Sequence, residues 1–324
     1  MKMTMSEAIR SAMAIKMREN PDVLLFGEDV GLGNHGAYHV SGNLVEEFGV
    51  DRVRDTPITE AGFVGMGIGA AIAGLRPIVE IMMMDFTMVA MDQLCNQAAK
   101  FRYMTGGNVT LPMVIRTPEG SGFCGAAQHS QDLEAWFNHV PGLKIVCPSN
   151  AEDARGLLLS SIDDDNPVLF LENKNLYNTK FDVEEEAKPI PLGKAKVVRE
   201  GKDAVIITYG QQVYLAQKAA AELEKEGISV EIIDLRTLFP LDMETVKASV
   251  EKTGRVVLLS CEVKRGAYIS DIAANLAEDC FGSLKAPIVR VAALDTPIPF
   301  AAVMEKYMLP NKDDVIQAVK KVTE

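Results

Sequence analysis

"DTPITEAGFVGMGIGAAIAG" (residues 55–74) puts one carboxylate, Glu60, at the mouth of a long run of glycine, alanine and aliphatic residues. A carboxylate beside so much apolar surface is costly unless a partner or a proton compensates it. Three readings compete: an anion in the first turn of a helix, favoured by the macrodipole; a phosphate-cradling loop; or an acid that works on a cofactor. Residues Gly65 to Ala70 formally fit G-x-G-x-x-A. A dinucleotide loop, however, needs a buried strand feeding directly into its first glycine. What precedes it here is "RVRDTPITEAGF" (52–63), with charges and Pro57, a poor core strand. Small residues at 65, 67, 69 and 71 suit one close-packed helix face instead. Glu60 is left between a first-turn anion and a cofactor acid.

Outward from this helix, short apolar runs alternate with helical periodicity. Strands are expected at 23–26, 77–81, 111–116, 143–147 and 167–171, and helices at 5–19, 61–74, 87–104 and 151–162. Capping-box patterns, Thr4-x-x-Glu7 and Ser149-x-x-Glu152, open the first and last of these helices. Near-continuous apolar strands alternating with helices predict a buried, mainly parallel sheet with helices on both faces. The stretch 173–196, polar and acidic with two prolines, reads as a linker. After it a second alternation runs through strands at 203–210, 229–235, 255–262 and 287–293, with helices at 212–226, 242–253, 268–280 and 312–322. The expected fold class is therefore α/β, with two parallel-sheet domains.

The chain has 324 residues, 48% hydrophobic and 24% charged, with a net charge of −12. The length suits about two domains, and the acidity argues against nucleic acid or an anionic membrane surface as partner. The longest uncharged stretch, 61–75, is about 15 residues, short of the roughly 20 that span a bilayer. The five cysteines are scattered without CxxC spacing, so reduced, mostly buried thiols and a cytoplasmic location are expected. Only four histidines are present. Of these, His129 lies in the Gly-rich segment "TPEGSGFCGAAQHSQDLEAW" (117–136) after an expected strand, where α/β sites form. A lone histidine is more often structural than catalytic.

Taken in order, "FGEDV" (26–30), "RVRDTPITEAGFVGMGIGAAIAGLRPIVE" (52–80), "MDQLCNQAAKFRYMTGG" (91–107), "AAQHSQ" (126–131), "PGLKIVCPSNAEDARGLL" (141–158), "NPVLFLEN" (166–173) and "DLRTLFPLD" (234–242) closely resemble one family. It is the beta subunit of the thiamine-diphosphate-dependent first component of 2-oxo acid dehydrogenase complexes. The resemblance runs nearly the whole chain. It implies a thiamine diphosphate-binding, pyrimidine-domain fold over 1–186 and a transketolase-type C-terminal domain over 187–324.

The resemblance also implies site residues. Glu60 would hydrogen-bond N1′ of the cofactor's aminopyrimidine and share a proton with it, so that the ring can remove the thiazolium C2 proton. Phe86 would pack on the pyrimidine, with Met82 and Ile58 lining the pocket or serving as ordinary core. His129 would face the thiazolium and the incoming lipoyl group. A potassium ion would be held largely by backbone carbonyls at Met113, Ser161, Ile162, Asp164 and Asn166, although "SSIDDDNP" (160–167) reads equally well as a solvated turn. The family's GDG motif for Mg²⁺ and diphosphate is missing from this sequence. The resemblance therefore implies a separate alpha subunit carrying Mg²⁺ and the diphosphate, an α2β2 heterotetramer, and a lipoyl-bearing acyltransferase core as further partner. "GNHGAYHVSGNL" (33–44) is more similar to pyruvate-type members than to acetoin-type ones. Pyruvate is thus the expected substrate, with acetoin or branched-chain 2-oxo acids as alternatives.

Overall fold

Strands β1 to β8 are Lys2–Thr4, Val23–Gly27, Val53–Asp55, Arg76–Glu80, Val114–Glu119, Lys144–Val146, Val168–Asn173 and Lys180–Asp182; helices α1 to α6 are Met5–Glu19, Leu44–Phe48, Glu60–Ile72, Ala99–Met104, Glu134–Asn138 and Ala151–Asp163. The computed structural model describes residues 1–324 and divides into two compact units. The first comprises Met1–Glu119 and Trp136–Leu192, the second Gly120–Ala135 and Gly193–Glu324. The chain thus changes unit at 192/193 where the sequence suggests 186/187, and the Gly-rich segment that carries His129 groups with the second unit.

In the first unit β6-β7-β5-β4-β2-β3 lie side by side, each pair parallel. Strand β5 is buried at every residue, as is β7, the burial expected of strands covered on both faces. Helix α3 sits close on this sheet because of Gly67: a Cβ there would lie 2.8 Å from Val79 Cγ2 and 3.1 Å from Met113 Cε. The glycine serves helix–sheet packing, as its spacing suggests.

Thr4 caps α1 as expected, accepting from the Glu7 N–H at 3.2 Å while its own N–H donates to the Glu7 carboxylate at 2.7 Å. The cap of α6 is Asn150, one residue later than Ser149, with its Oδ1 accepting from the Asp153 N–H at 2.9 Å. The single helix expected over 87–104 is broken into a 3₁₀ turn (Met84–Met88), a π-helical turn (Gln93–Ala98) and α4. A wider turn shifts which face each residue presents, and apolar spacing does not report that shift. The expected linker is ordered in its first half. There β8 pairs antiparallel with β1, and the Val183 N–H donates to the Met1 carbonyl at 2.8 Å.

The second unit contains β9 to β14 (Lys196–Arg199, Ala204–Thr208, Val230–Asp234, Thr237–Phe239, Val256–Val263, Val289–Ala293) and α7 to α11 (Gln212–Lys225, Met243–Thr253, Tyr268–Asp279, Ala302–Met308, Lys312–Thr323). Its sheet runs β14-β13-β10-β11-β9, parallel except for the antiparallel edge strand β9. Ala216, Ala219, Ala220 and Leu223 of α7 and Val315, Val319 and Val322 of α11 form a core with Ile206, Ile232 and Leu259 of the sheet. All five cysteines are free, but only Cys147 and Cys280 are buried. No helix is long and apolar enough to cross a membrane.

Candidate active site

The C-terminal ends of β2, β4, β5 and β7 lie along one edge of the first sheet, the edge at which parallel α/β sheets build sites. Glu28 follows β2, Glu80 ends β4, Arg116 lies on β5 and Glu172 on β7. Glu60 opens α3 after β3 and is 6% exposed. Close strand approach is part of the design. A Cβ on Gly27 would lie 2.5 Å from the Glu80 carbonyl oxygen, so the residue before Glu28 has to be glycine.

Arg116, 1% exposed, grips Glu172 with two donors, Nε to Oε1 at 2.6 Å and Nη2 to Oε2 at 2.8 Å. Its Nη1 donates to Glu80 Oε2 at 2.7 Å. Burial works against the guanidinium's charge, but Glu172 and Glu80 outweigh it, so Arg116 stays charged. The buried Tyr177 phenol donates to Glu172 Oε2 at 2.7 Å. Burial, and then Glu172, hold that phenol well above its usual range, so it keeps its proton.

Glu28 differs. It is 5% exposed, and its Oε1 is buried without a hydrogen-bond partner. Burial first, then the charges of Glu60, Asp29 and Glu80, push its carboxyl up to about 7. Glu28 therefore takes up a proton far more readily than an ordinary glutamate. Sequence reasoning passed over Glu28. The signal was present in "FGEDV", where a glutamate directly follows an apolar strand.

The expected pocket residues divide by exposure. Met82 and Phe86 are half-buried, whereas Ile58 is 83% exposed and is neither core nor enclosed by this chain. His129 belongs to the second unit and is exposed, with its N–H on the Ala126 carbonyl at 3.5 Å. Its loop is anchored within that unit at both ends. The Gly122 and Cys124 N–H groups donate to Glu305 at 2.8 and 2.9 Å. The Ala135 N–H donates to Glu262 Oε1 at 3.0 Å. Glu262 also accepts from the Tyr268 N–H at 2.7 Å and the Tyr209 hydroxyl at 3.1 Å. Burial pushes its carboxyl up to about 7 against those three donors.

Of the five positions expected to hold potassium, Met113 immediately precedes β5, Ser161 and Ile162 lie in the last turn of α6, and Asp164 and Asn166 lie in the turn from α6 to β7. Two of their carbonyls already serve a cation: Arg76 Nη1 donates to Ile162 O at 3.0 Å and to Asp164 O at 3.3 Å. Met113 O accepts from the Val168 N–H and Ser161 O from the Asp164 N–H, while Lys144 lies on the Asp164 carboxylate. A potassium ion would share two of these carbonyl oxygens with a guanidinium, and an ammonium lies on the adjoining Asp164 carboxylate. The arrangement fits a potassium ion poorly.

The transketolase pyrimidine-binding domain matches residues 1–180, and the transketolase C-terminal domain matches 193–315. The pyruvate dehydrogenase E1 component subunit beta of Rhizobium meliloti is 50% identical over 99% of this chain and 70% of its own length. That of Rickettsia bellii is 48% identical over 99% of both chains. The beta subunit of an acetoin:2,6-dichlorophenolindophenol oxidoreductase from Cupriavidus necator is 47% identical over 99% of this chain and 97% of its own. Among solved structures, a split-gene transketolase chain superposes with a TM-score of 0.81 at 23% identity, covering 99% of this chain and 98% of that one; that likeness concerns the fold. Two transketolase-type domain matches, together with about half identity to these relatives over almost every residue, place the chain in the family of E1 beta subunits to which those of pyruvate dehydrogenase belong.

Proposed function

We propose that the chain is the beta half of a pyruvate-oxidising active site, decarboxylating pyruvate with thiamine diphosphate and passing the acetyl group to a lipoyl partner. The observation that carries this reading is the buried Glu60 at the sheet edge, beside a Glu28 carboxyl that titrates near 7. A ring nitrogen that must share a proton suits such a place. When bound, the cofactor supplies the electron sink for breaking the carbon–carbon bond. Glu60 holds the proton at the pyrimidine nitrogen, and Glu28 keeps a second exchangeable proton nearby. Phe86 and Met82 offer an apolar wall that limits water. Exposed His129 can meet a bulky lipoyl group and give a proton to the dithiolane sulfur as the S–S bond opens, work suited to imidazole near neutral pH.

The exposed Ile58, and the missing GDG motif, support a site completed by a separate alpha subunit holding Mg²⁺ and the diphosphate in an α2β2 assembly. A lipoyl-bearing acyltransferase core is the further partner, and a cytoplasmic location goes with this reading. Acetoin is the second reading, favoured by the Cupriavidus relative.

Calorimetry and dye-coupled turnover test the proposal. Alone, the chain is expected to bind no thiamine diphosphate tightly and to turn nothing over, even with Mg²⁺. Co-expression with a cognate alpha subunit should restore both, with pyruvate preferred over acetoin and branched-chain 2-oxo acids. Turnover by the isolated chain overturns the shared site, and a preference for acetoin moves the substrate to the second reading.

A further inference from the structure

Helix α10 is built inside out. Val303, Met304 and Tyr307 face solvent, Tyr307 at 81% exposure, while Glu305 and Met308 are buried. A carboxylate turned inward from a helix that leaves Val303, Met304 and Tyr307 outside is costly unless strong donors meet it. The donors are main-chain N–H groups of the loop that leads to His129: Gly122 N to Oε1 at 2.8 Å and Cys124 N to Oε2 at 2.9 Å. That loop has an unusual backbone. Gly120, Gly122, Cys124 and Ala126 all have positive φ, of 101°, 98°, 61° and 60°. Positive φ at alternate residues turns alternate N–H groups to one side and forms a concavity for an anion. For Cys124 and Ala126 the conformation is strained and persists only when something holds it.

We propose that Glu305 is a positioning residue for His129, its carboxylate seated in the backbone concavity of residues 120–126 and fixing the loop from which the histidine projects. The claim about catalysis rests on the role given to His129 above; the claim about geometry does not. Burial, and then the Glu305 carboxylate, also raise the Cys124 thiol. The loop's cysteine therefore stays protonated and does not compete as a nucleophile at neutral pH.

Glu305→Gln keeps the shape but turns an NH₂ toward one of the two N–H donors. Losing charge-assisted bonds of this kind is expected to speed hydrogen exchange at the Gly122 and Cys124 amides about tenfold or more. The His129 imidazole signal, one of only four in the chain, should shift or broaden by NMR. With an alpha partner, acetyl transfer to a lipoyl domain should fall about tenfold, while dye-coupled decarboxylation stays within about twofold. His129→Ala, which removes the proton donor to the lipoyl sulfur but not the decarboxylation machinery, is expected to show the same split. Should Glu305→Gln fold poorly, Glu305→Asp keeps the charge one methylene short and reads the same amides and the same signal. Unchanged amide exchange, or an unmoved His129 signal, overturns the proposal. A moved signal with normal acetyl transfer in His129→Ala upholds the positioning and removes the role assigned to the histidine.

Discussion

The strand-end cluster of the first unit and the histidine loop of the second both bury carboxylates, and they use them differently. In the cluster, Glu80 and Glu172 meet a side-chain cation, Arg116, on regular parallel strands. In the loop, Glu305 and Glu262 meet main-chain N–H groups of an irregular segment. The cluster's geometry follows from the sheet, and its carboxylates adjust charge. The loop's geometry follows from its carboxylates, because no ladder of hydrogen bonds supports it. Proton chemistry suits the first arrangement, where burial and then an excess of carboxylate leave Glu28 protonatable. Delivery of a side chain to a large reaction partner suits the second.

The largest effect expected from breaking this contrast is at Arg116. Arg116→Met leaves Glu80 and Glu172 buried without their cation, and removing one partner of a buried ion pair costs about 3–5 kcal/mol. Urea unfolding of the chain should show that loss in the midpoint. A loss under about 1 kcal/mol would mean that the carboxylates take up protons easily, and that Arg116 does not set the charge of the edge. Next is Glu60→Gln. With an alpha partner, loss of the shareable proton should lower decarboxylation and lipoyl acetylation together by at least about a hundredfold, in line with general acid–base contributions. Exchange of the cofactor's C2 proton should slow in parallel. Falling together is the signature of the first region, just as the divergent assays of the Glu305 and His129 variants are that of the second. Normal C2 exchange in Glu60→Gln would return Glu60 to a first-turn anion.

The difference in construction also explains what could be read from sequence. Strands β2, β4 and β7 announce themselves because burial on both faces makes them largely apolar runs, and α3 because its glycines recur at packing intervals. Strand β5 is legible only in its first half, since the buried Arg116, Thr117 and Glu119 interrupt its apolar run. Glu60 stands out as a single charge in such a run. The partners of Arg116 lie 36 and 56 residues away, and nothing in local spacing couples them. Glu305 is further still, 183 residues from Gly122. Its helix carries Val, Met and Tyr on the solvent side, so hydrophobic patterning assigns the wrong face to the core. The π-helical turn at Gln93–Ala98 was hidden for the related reason that apolar spacing tolerates one residue more per turn.

The smallest effect concerns Glu28 and sharpens the charge argument. Its carboxyl titrates near 7 in the folded chain, above the ordinary glutamate value, because burial and neighbouring carboxylates disfavour the anion. The native state therefore binds more protons than the unfolded chain between about pH 4.5 and 7, and stability falls with rising pH across that window. The contribution is fully present below the unfolded value and lost as pH passes the folded one. Glu28→Gln removes the titration while keeping a neutral side chain of the same shape. Near pH 4.5 the variant and the parent should melt alike. By pH 7.5 the variant should be more stable by roughly 1 kcal/mol after allowance for solvent screening, or about 2–4 °C in Tm. A difference in Tm that stays flat from pH 4.5 to 7.5 would place the proton elsewhere, and Glu28 would then be an ordinary carboxylate outside the proton economy of the sheet edge.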